Sequence, residues 1–217
     1  MKMRIVLPLL AAVALGACDD ATGASGDQLS EAEVTTLSEG LVTTTFDATT
    51  SVATADAELA QPDGATIAGD AISSTLEFTR TVDCPLGGQV VLEGVRVREW
   101  DYDTWTGSMD FELTKTHQAC ARPARETQDV TITLDGAPNV LASVHHEWAE
   151  GHRMGIQTMS LEGAIAWVTS DDRSGTCEID IDVSFDPDTR TRTVTGTVCD
   201  RDIEWSRQWH HSGMGAG

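Results

Sequence analysis

Three imidazoles and two carboxylates fall within eight residues at His145-His146-Glu147-Trp148-Ala149-Glu150-Gly151-His152, a donor density that a transition metal can use. The spacing is not the His-Glu-x-x-His of zinc proteases, because Glu150 stands where the second His belongs. The segment lies where a strand runs out into a loop, so a polar hairpin tip is expected and no metal ligand is assigned. Asp101, Asp103 and Glu112 occupy the first, third and twelfth positions of a calcium-loop pattern, but Trp105 fills the fifth and Gly107 comes one residue late. A solvated acidic turn is the expectation there, with millimolar extracytoplasmic calcium as the alternative. His117 is isolated, and His210-His211 follows Trp205 and Trp209 close to a Gly-rich C-terminus where fraying is the default. No Gly-x-Ser-x-Gly elbow and no phosphate-cradling glycine loop occur. No catalytic residue and no cofactor are expected.

Cysteine chemistry is more informative. Beyond Cys18 there are four: Cys84, Cys120, Cys177 and Cys199. An even number in an exported domain reads as two disulfides with three possible connectivities. Cys84 and Cys120 bracket one hairpin, and Cys177 and Cys199 sit nearly symmetrically about the turn at Asp188, which favours 84 with 120 and 177 with 199. One difficulty attends the second pair. Cys177 shares the parity of Ile179 and Ile181, whereas Cys199 opposes that of Val194 and Val198, so a bulge or a bond beyond the strand end is required. A zinc site lacks its Cys-x-x-Cys pair.

The fifth cysteine has a different setting. Lys2 and Arg4 precede an apolar stretch from Ile5 to Ala14, and Leu15-Gly16-Ala17-Cys18 follows. This order of charge, apolar run and small residues is that of a signal peptide, here residues 1–17. The last four residues resemble the lipobox of bacterial envelope lipoproteins. The resemblance implies diacylglycerol on the Cys18 thiol, cleavage just before it, and a mature chain held to the membrane by acyl chains such as palmitate. Each buried methylene of such a chain contributes about 0.8 kcal/mol, so two or three chains anchor stably. Asp19 resembles the inner-membrane retention signal of enteric bacteria; with only Lys2 and Lys115 as lysines, the residue usage looks like that of a high-GC genome, and inner and outer membrane both stay open. Residues 18–28 are small and polar, a flexible tether of about 18 Å root-mean-square span.

The elements that must position these groups begin at residue 29. Ser30-Glu31-Ala32-Glu33 has capping-box spacing and Leu29 with Val34 forms a hydrophobic staple. Val34, Leu37, Leu41 and Val42, extended by Phe46, make the stripe of an amphipathic helix. From Thr43 to Asp70 the chain is expected to be a weakly ordered polar connection containing the turn Gln61-Pro62-Asp63-Gly64. Beyond residue 74 the period becomes two, as in Ile179, Ile181, Val183 and Phe185 against Glu178, Asp180, Asp182 and Ser184. Turn signals at Cys84-Pro85-Leu86-Gly87-Gly88, Asp135-Gly136-Ala137-Pro138-Asn139 and Asp186-Pro187-Asp188-Thr189 separate about eight strands. Such short connections predict antiparallel neighbours. The expected fold is mainly β: an antiparallel meander of about eight strands over 74–205, a barrel or partial barrel, with one N-terminal amphipathic helix within 29–73 and a flexible tail over 206–217. Leu92-Glu93-Gly94 recurs as Leu161-Glu162-Gly163, and residues 106–113 recur in type as 174–181, which predicts two related hairpins. An acidic β domain with this Cys-Pro-Leu-Gly-Gly turn looks like uncharacterised bacterial envelope lipoproteins, a likeness that implies no activity.

Charge narrows the partners. Fourteen Lys plus Arg against 35 Asp plus Glu give a net charge of −21, which argues against nucleic acid and against direct contact with anionic lipid. After the N-terminal segment no run approaches the ~18 apolar residues of a membrane-spanning helix. The expectation is a lipid-anchored extracytoplasmic protein, not an enzyme, with a binding or structural β domain whose partner is a protein or an apolar ligand. The alternative is a carrier of an apolar ligand in a partly open barrel. The six Trp residues, at 100, 105, 148, 167, 205 and 209, divide between core and a recognition surface.

Overall fold

The fold is that of a computed structural model, described for residues 28–55, 66–68, 71–101, 103–124, 130–136, 139–148 and 156–208. One helix, α1 (Glu31–Ala55), precedes β1 (Thr66–Ala68), β2 (Ala71–Asp83), β3 (Gln89–Asp101), β4 (Thr106–Gln118), β5 (Cys120–Pro123), β6 (Thr131–Asp135), β7 (Val140–Trp148), β8 (Ile156–Thr169), β9 (Ser174–Asp186), β10 (Thr191–Val198) and β11 (Arg201–Gln208). All strand pairs are antiparallel and belong to one sheet, so the mainly β expectation holds. The first and last strands of the path, β1 and β11, are not paired with each other, so the sheet is open and not a closed barrel. Helix α1 touches both β2 and β11. It packs on the inner face of the sheet, where Leu37, Leu41 and Val42 are buried and the Leu41 carbonyl is bonded by Lys115 of β4.

The capping box forms as the sequence predicts. The Ser30 amide donates to Glu33 Oε2 at 2.7 Å and the Glu33 amide donates to Ser30 Oγ at 3.3 Å. Leu29 and Val34, the two residues of the staple, are both buried. The helix does not fade at Thr43, however; it continues to Ala55 through a Thr-rich stretch expected to be a loose connection. Thr44, Thr45 and Thr49 each return their hydroxyl to the carbonyl four residues back, which satisfies the side chain inside the helix. Packing then outweighs weak propensity, since Thr45, Ala48 and Thr49 are buried along with Val34, Leu37, Leu41, Val42 and Phe46.

The segment Asp135 to Asn139 is not the hairpin that its composition predicts. β6 pairs with residues 166–169 of β8 and β7 pairs with residues 156–163 of the same strand. The two therefore run in line along β8 and do not pair with each other as a hairpin. β4 and β5 are likewise in line, interrupted at Ala119, whose φ is 49°. The actual reversal is between β5 and β6, closed by the Ala124 amide donating to the Val130 carbonyl at 2.8 Å. The end of β6 is hydrogen-bonded to the break between β4 and β5. The Gly136 amide donates to the His117 carbonyl and the Ala119 amide to Asp135 Oδ1, each at 2.8 Å. On the next strand Gly163 has a φ of +138°, and a Cβ there would lie 2.4 Å from the Asn139 carbonyl oxygen, so glycine is required where the sheet bends.

The repeated hairpins are β3 with β4 and β8 with β9. In both, a Trp faces a Gly across the ladder: Trp100 opposite Gly107 and Trp167 opposite Gly175. The strand at the C-terminal end, β11, was not expected as a separate element and runs to Gln208, three residues into the stretch expected as tail.

Candidate functional site

Alternation along the strands sorts the charges of this protein by face. Positions that share the parity of the buried Val90, Leu113, Ile132, Phe185, Val194 and Ile203 face α1; the others face away. Every Lys and Arg on the described strands takes inner parity: Arg80, Arg96, Arg98, Lys115, Arg122, Arg192, Arg201 and Arg207. Every Asp and Glu on those strands takes outer parity, among them Glu93, Glu99, Glu112, Glu162, Asp180, Asp182 and Glu204. Two of the outer acids, Glu162 and Asp180, are direct cross-strand partners, an arrangement that sheets usually avoid because like charges opposed across a ladder are destabilising.

Helix α1 supplies the complement. It contains Glu31, Glu33, Glu39 and Asp47 and no basic residue. Arg173, in the turn between β8 and β9, donates from Nη2 to Glu33 Oε1 at 2.6 Å and from Nη1 to Glu33 Oε2 at 3.1 Å. That fork holds the Glu33 carboxyl below its ordinary range, outweighing the opposing effect of burial, and raises the already high affinity of Arg173 for its proton. Arg207 pairs with Glu39, and Trp205 Nε1 donates to Ser38 Oγ at 3.2 Å. The Arg192 guanidinium lies over the Phe46 ring at 4.0 Å from its centroid, a favourable cation–π placement.

Beneath the middle of the helix the arrangement changes. Lys115 and His117 on β4 and Arg122 on β5 are 0%, 3% and 8% exposed. The Lys115 amine donates to the Leu41 carbonyl at 2.8 Å and to Thr45 Oγ1 at 3.3 Å, both neutral acceptors. Burial, reinforced by the nearby Arg122, holds the Lys115 pKa well below its ordinary value. Burial also pushes His117 down to about 2, helped by Lys115 and Arg122. Arg122 packs against Gly40: a Cβ at that helix position would lie 1.0 Å from Arg122 Nη1. Arg122 Nε and His117 Nδ1 have no hydrogen-bond partner among the described residues. In the sequence His117 is isolated among the histidines, and the signal for this cluster is parity, because Lys115 and His117 continue the buried run Met109, Phe111, Leu113.

The two sites raised by motif spacing do not assemble. His145 and His146, adjacent on β7, point to opposite faces. His145 Nδ1 lies 2.6 Å from Asp110 Oδ1 on the outer face, while His146 stacks on Trp148 with ring centroids 5.5 Å apart. Burial lowers the His146 pKa to about 4. Glu150 and His152 lie outside the described residues. Asp101 turns its carboxylate onto the amides of Asp103 and Thr104, at 2.8 and 3.1 Å, and closes a turn. Glu112 stands six residues along β4 from the strand start and accepts from Ser143 at 2.8 Å, which places it about 20 Å from that turn. Among the described residues no group of three or more His, Cys, Asp or Glu is placed to hold a metal ion.

Both disulfides form in the favoured pairing, Cys84 with Cys120 and Cys177 with Cys199. The parity difficulty is resolved beyond the strand end. Cys199 and Asp200, at φ 54° and 59°, are the two central residues of the β10–β11 hairpin, and this left-handed turn redirects the Cys199 side chain toward Cys177. Cys18 lies outside the described residues.

The described residues form surface clefts at two places. One, about 310 Å³, runs over the outer face and is lined mainly by hydroxyls of Ser143, Thr158, Ser160, Ser184, Thr193 and Thr195 with Asp182 and His145. The other, about 720 Å³, is at the rim, where Trp100 and Trp148 meet edge to face at 6.0 Å beside Glu99, Asp101 and Glu147. No protein-family model, curated protein or solved structure matches the chain.

Proposed function

We propose that the chain is a bacterial envelope lipoprotein, anchored by acyl chains on Cys18, whose β domain is a non-catalytic binding or structural module. The ordered signal peptide and lipobox support the anchor. The two disulfides support an oxidising compartment outside the cytoplasm. The observation that carries the module reading is the occupation of the inner face by α1. Leu37, Leu41 and Val42 are all at most 1% exposed there, in the space that a carried apolar molecule would need. What remains for a partner is the outer face, with acids, hydroxyls and no Lys or Arg on its described strands. Such a surface fits a cationic protein partner and repels nucleic acid and anionic lipid. Metabolic labelling with a fatty-acid analogue tests the anchor: label enters the wild-type chain and is lost in Cys18→Ala, and label retained in that variant overturns the reading.

One observation favours a second reading, a carrier. The basic cluster under α1 keeps donors without partners among the described residues, which the head of an anionic amphiphile would satisfy once the helix moved aside. Native mass spectrometry of protein taken from its own envelope separates the two. A bare domain supports the module, and a stoichiometric lipid beyond the covalent anchor supports the carrier.

A further inference from the structure

We propose that Lys115, His117 and Arg122 form the seat of a small oxyanion, a carboxylate or a phosphate, buried between the inner face of the sheet and helix α1. The inference does not depend on the lipid anchor. It begins from placement: three basic side chains are withdrawn from water, with the Lys115 amine bonded to the Leu41 carbonyl and the Arg122 guanidinium packed on the adjacent Gly40. Bringing them together costs free energy unless charge or hydrogen bonding compensates. The inner positions of the described strands carry no carboxylate, and the acids of α1 nearest the sheet, Glu33 and Glu39, are engaged by arginines elsewhere.

The donor geometry points the same way. Lys115 directs two of its hydrogen bonds to Leu41 and Thr45, and an amine that becomes an ammonium has a third to give. Arg122 Nε and His117 Nδ1 are without partners among the described residues, and in the tautomer protonated at Nδ1 the imidazole is a donor. Three donors from three side chains suit an acceptor with two or more anionic oxygens. Water would accept these hydrogen bonds but would leave the buried Arg122 charge uncompensated, and an apolar guest would leave the donors bare. Gly40 lets the helix backbone approach the Arg122 guanidinium with no intervening side chain, so the helix closes over the site.

The test uses the folded, disulfide-bonded chain and three probes at equal ionic strength: inorganic phosphate, acetate, and laurate below its micelle concentration, each against chloride. Calorimetric titration and thermal unfolding are read together. A bound oxyanion raises the midpoint by about 5 °C or more at a concentration about a hundredfold above its Kd. Lys115→Met and Arg122→Met each weaken binding at least tenfold. Phosphate or acetate acting alone identifies a free anion, and laurate acting where acetate does not identifies the head of an amphiphile; either supports the site. No heat and no shift with any of the three overturns it, as does binding that is undiminished in both variants. Should a variant fail to fold, a wild-type crystal grown with selenate decides, since an anomalous peak within hydrogen-bonding reach of Lys115 Nζ and Arg122 Nε supports the site and density elsewhere only contradicts it.

Discussion

The side-chain amine of Lys115 donates a 2.8 Å hydrogen bond to the main-chain carbonyl of Leu41, a residue in the middle of a helix and 74 positions earlier in the chain. A carbonyl inside a helix already accepts its own i+4 amide, and here the Thr45 hydroxyl as well. The sheet therefore grips the helix by its backbone and not only by apolar contact. The same strand that supplies Met109, Phe111 and Leu113 to the core supplies this polar grip two residues further on.

Gly40 and Arg122 are predicted to be energetically coupled. Alanine in place of glycine inside a helix ordinarily stabilises by up to about 1 kcal/mol. At Gly40 the new methyl would fall on the Arg122 guanidinium, which is buried and must be displaced. Gly40→Ala is expected to destabilise the wild type and to stabilise the Arg122→Ala variant, with a coupling of about 1 kcal/mol or more in a double-mutant cycle by denaturant unfolding. Additive effects would show that the guanidinium does not rest on the helix.

Acid is predicted to unfold the domain through its buried imidazoles. His117 and His146 have folded pKa values of about 2 and about 4, both below the unfolded value of about 6.5. Between those limits the unfolded state binds the extra protons, so stability falls as pH drops below about 6.5, by up to about 1.4 kcal/mol per pH unit for each imidazole. Glu33, held below its ordinary range by Arg173, acts in the same direction at lower pH, its contribution being present above the unfolded carboxyl pKa and lost as pH falls through the folded one. His117→Asn should flatten the decline between pH 6.5 and 4. An unchanged slope in urea titrations of that variant would remove His117 from the account.

Glu33 is expected to matter more than its place in the first turn suggests. It closes the capping box and receives the Arg173 fork, and its side chain is only 7% exposed. Glu33→Ala should cost about 2 kcal/mol and speed hydrogen exchange at the start of α1 first. Uniform loss of protection along the helix would mean that its two ends are not held separately.

The two disulfides should each contribute about 2 to 4 kcal/mol, since they close loops of 36 and 22 residues. Cys177→Ser with Cys199→Ser is expected to lower the unfolding midpoint without loss of sheet signal in circular dichroism. Peptide mapping under non-reducing conditions checks the pairing itself, and free thiols or crossed pairs would contradict it.

What the sequence disclosed and what it hid follow from the range of each interaction. Ser30 with Glu33 and the alternation in β9 are local patterns, and both appear in the structure as read. The extension of α1 past Thr43 was invisible because it depends on burial of Thr45 and Thr49 against a sheet formed later in the chain. Asp135 to Asn139 carries hairpin chemistry, yet β8 is long enough to pair with both flanking strands, and that tertiary fact sets them in line along one partner. The division of acids and bases between faces was present in the parity of each strand, but it acquires meaning only when the register aligns all strands at once. The Cys199 turn escaped notice because it lacks the Asn-Gly or Asp-Gly pair that such turns favour.

Whether lipid holds this acidic, disulfide-bonded domain to the envelope, as proposed, is decided by the intact mass of the chain extracted from its own membrane. A lipid anchor requires a polypeptide beginning at Cys18, lighter by four hydrogens for two disulfides and heavier by a glyceryl group with two or three acyl chains, with all lipid mass confined to the N-terminal peptide after digestion. A chain that begins elsewhere, or that begins at Cys18 and carries no acyl mass, would contradict it.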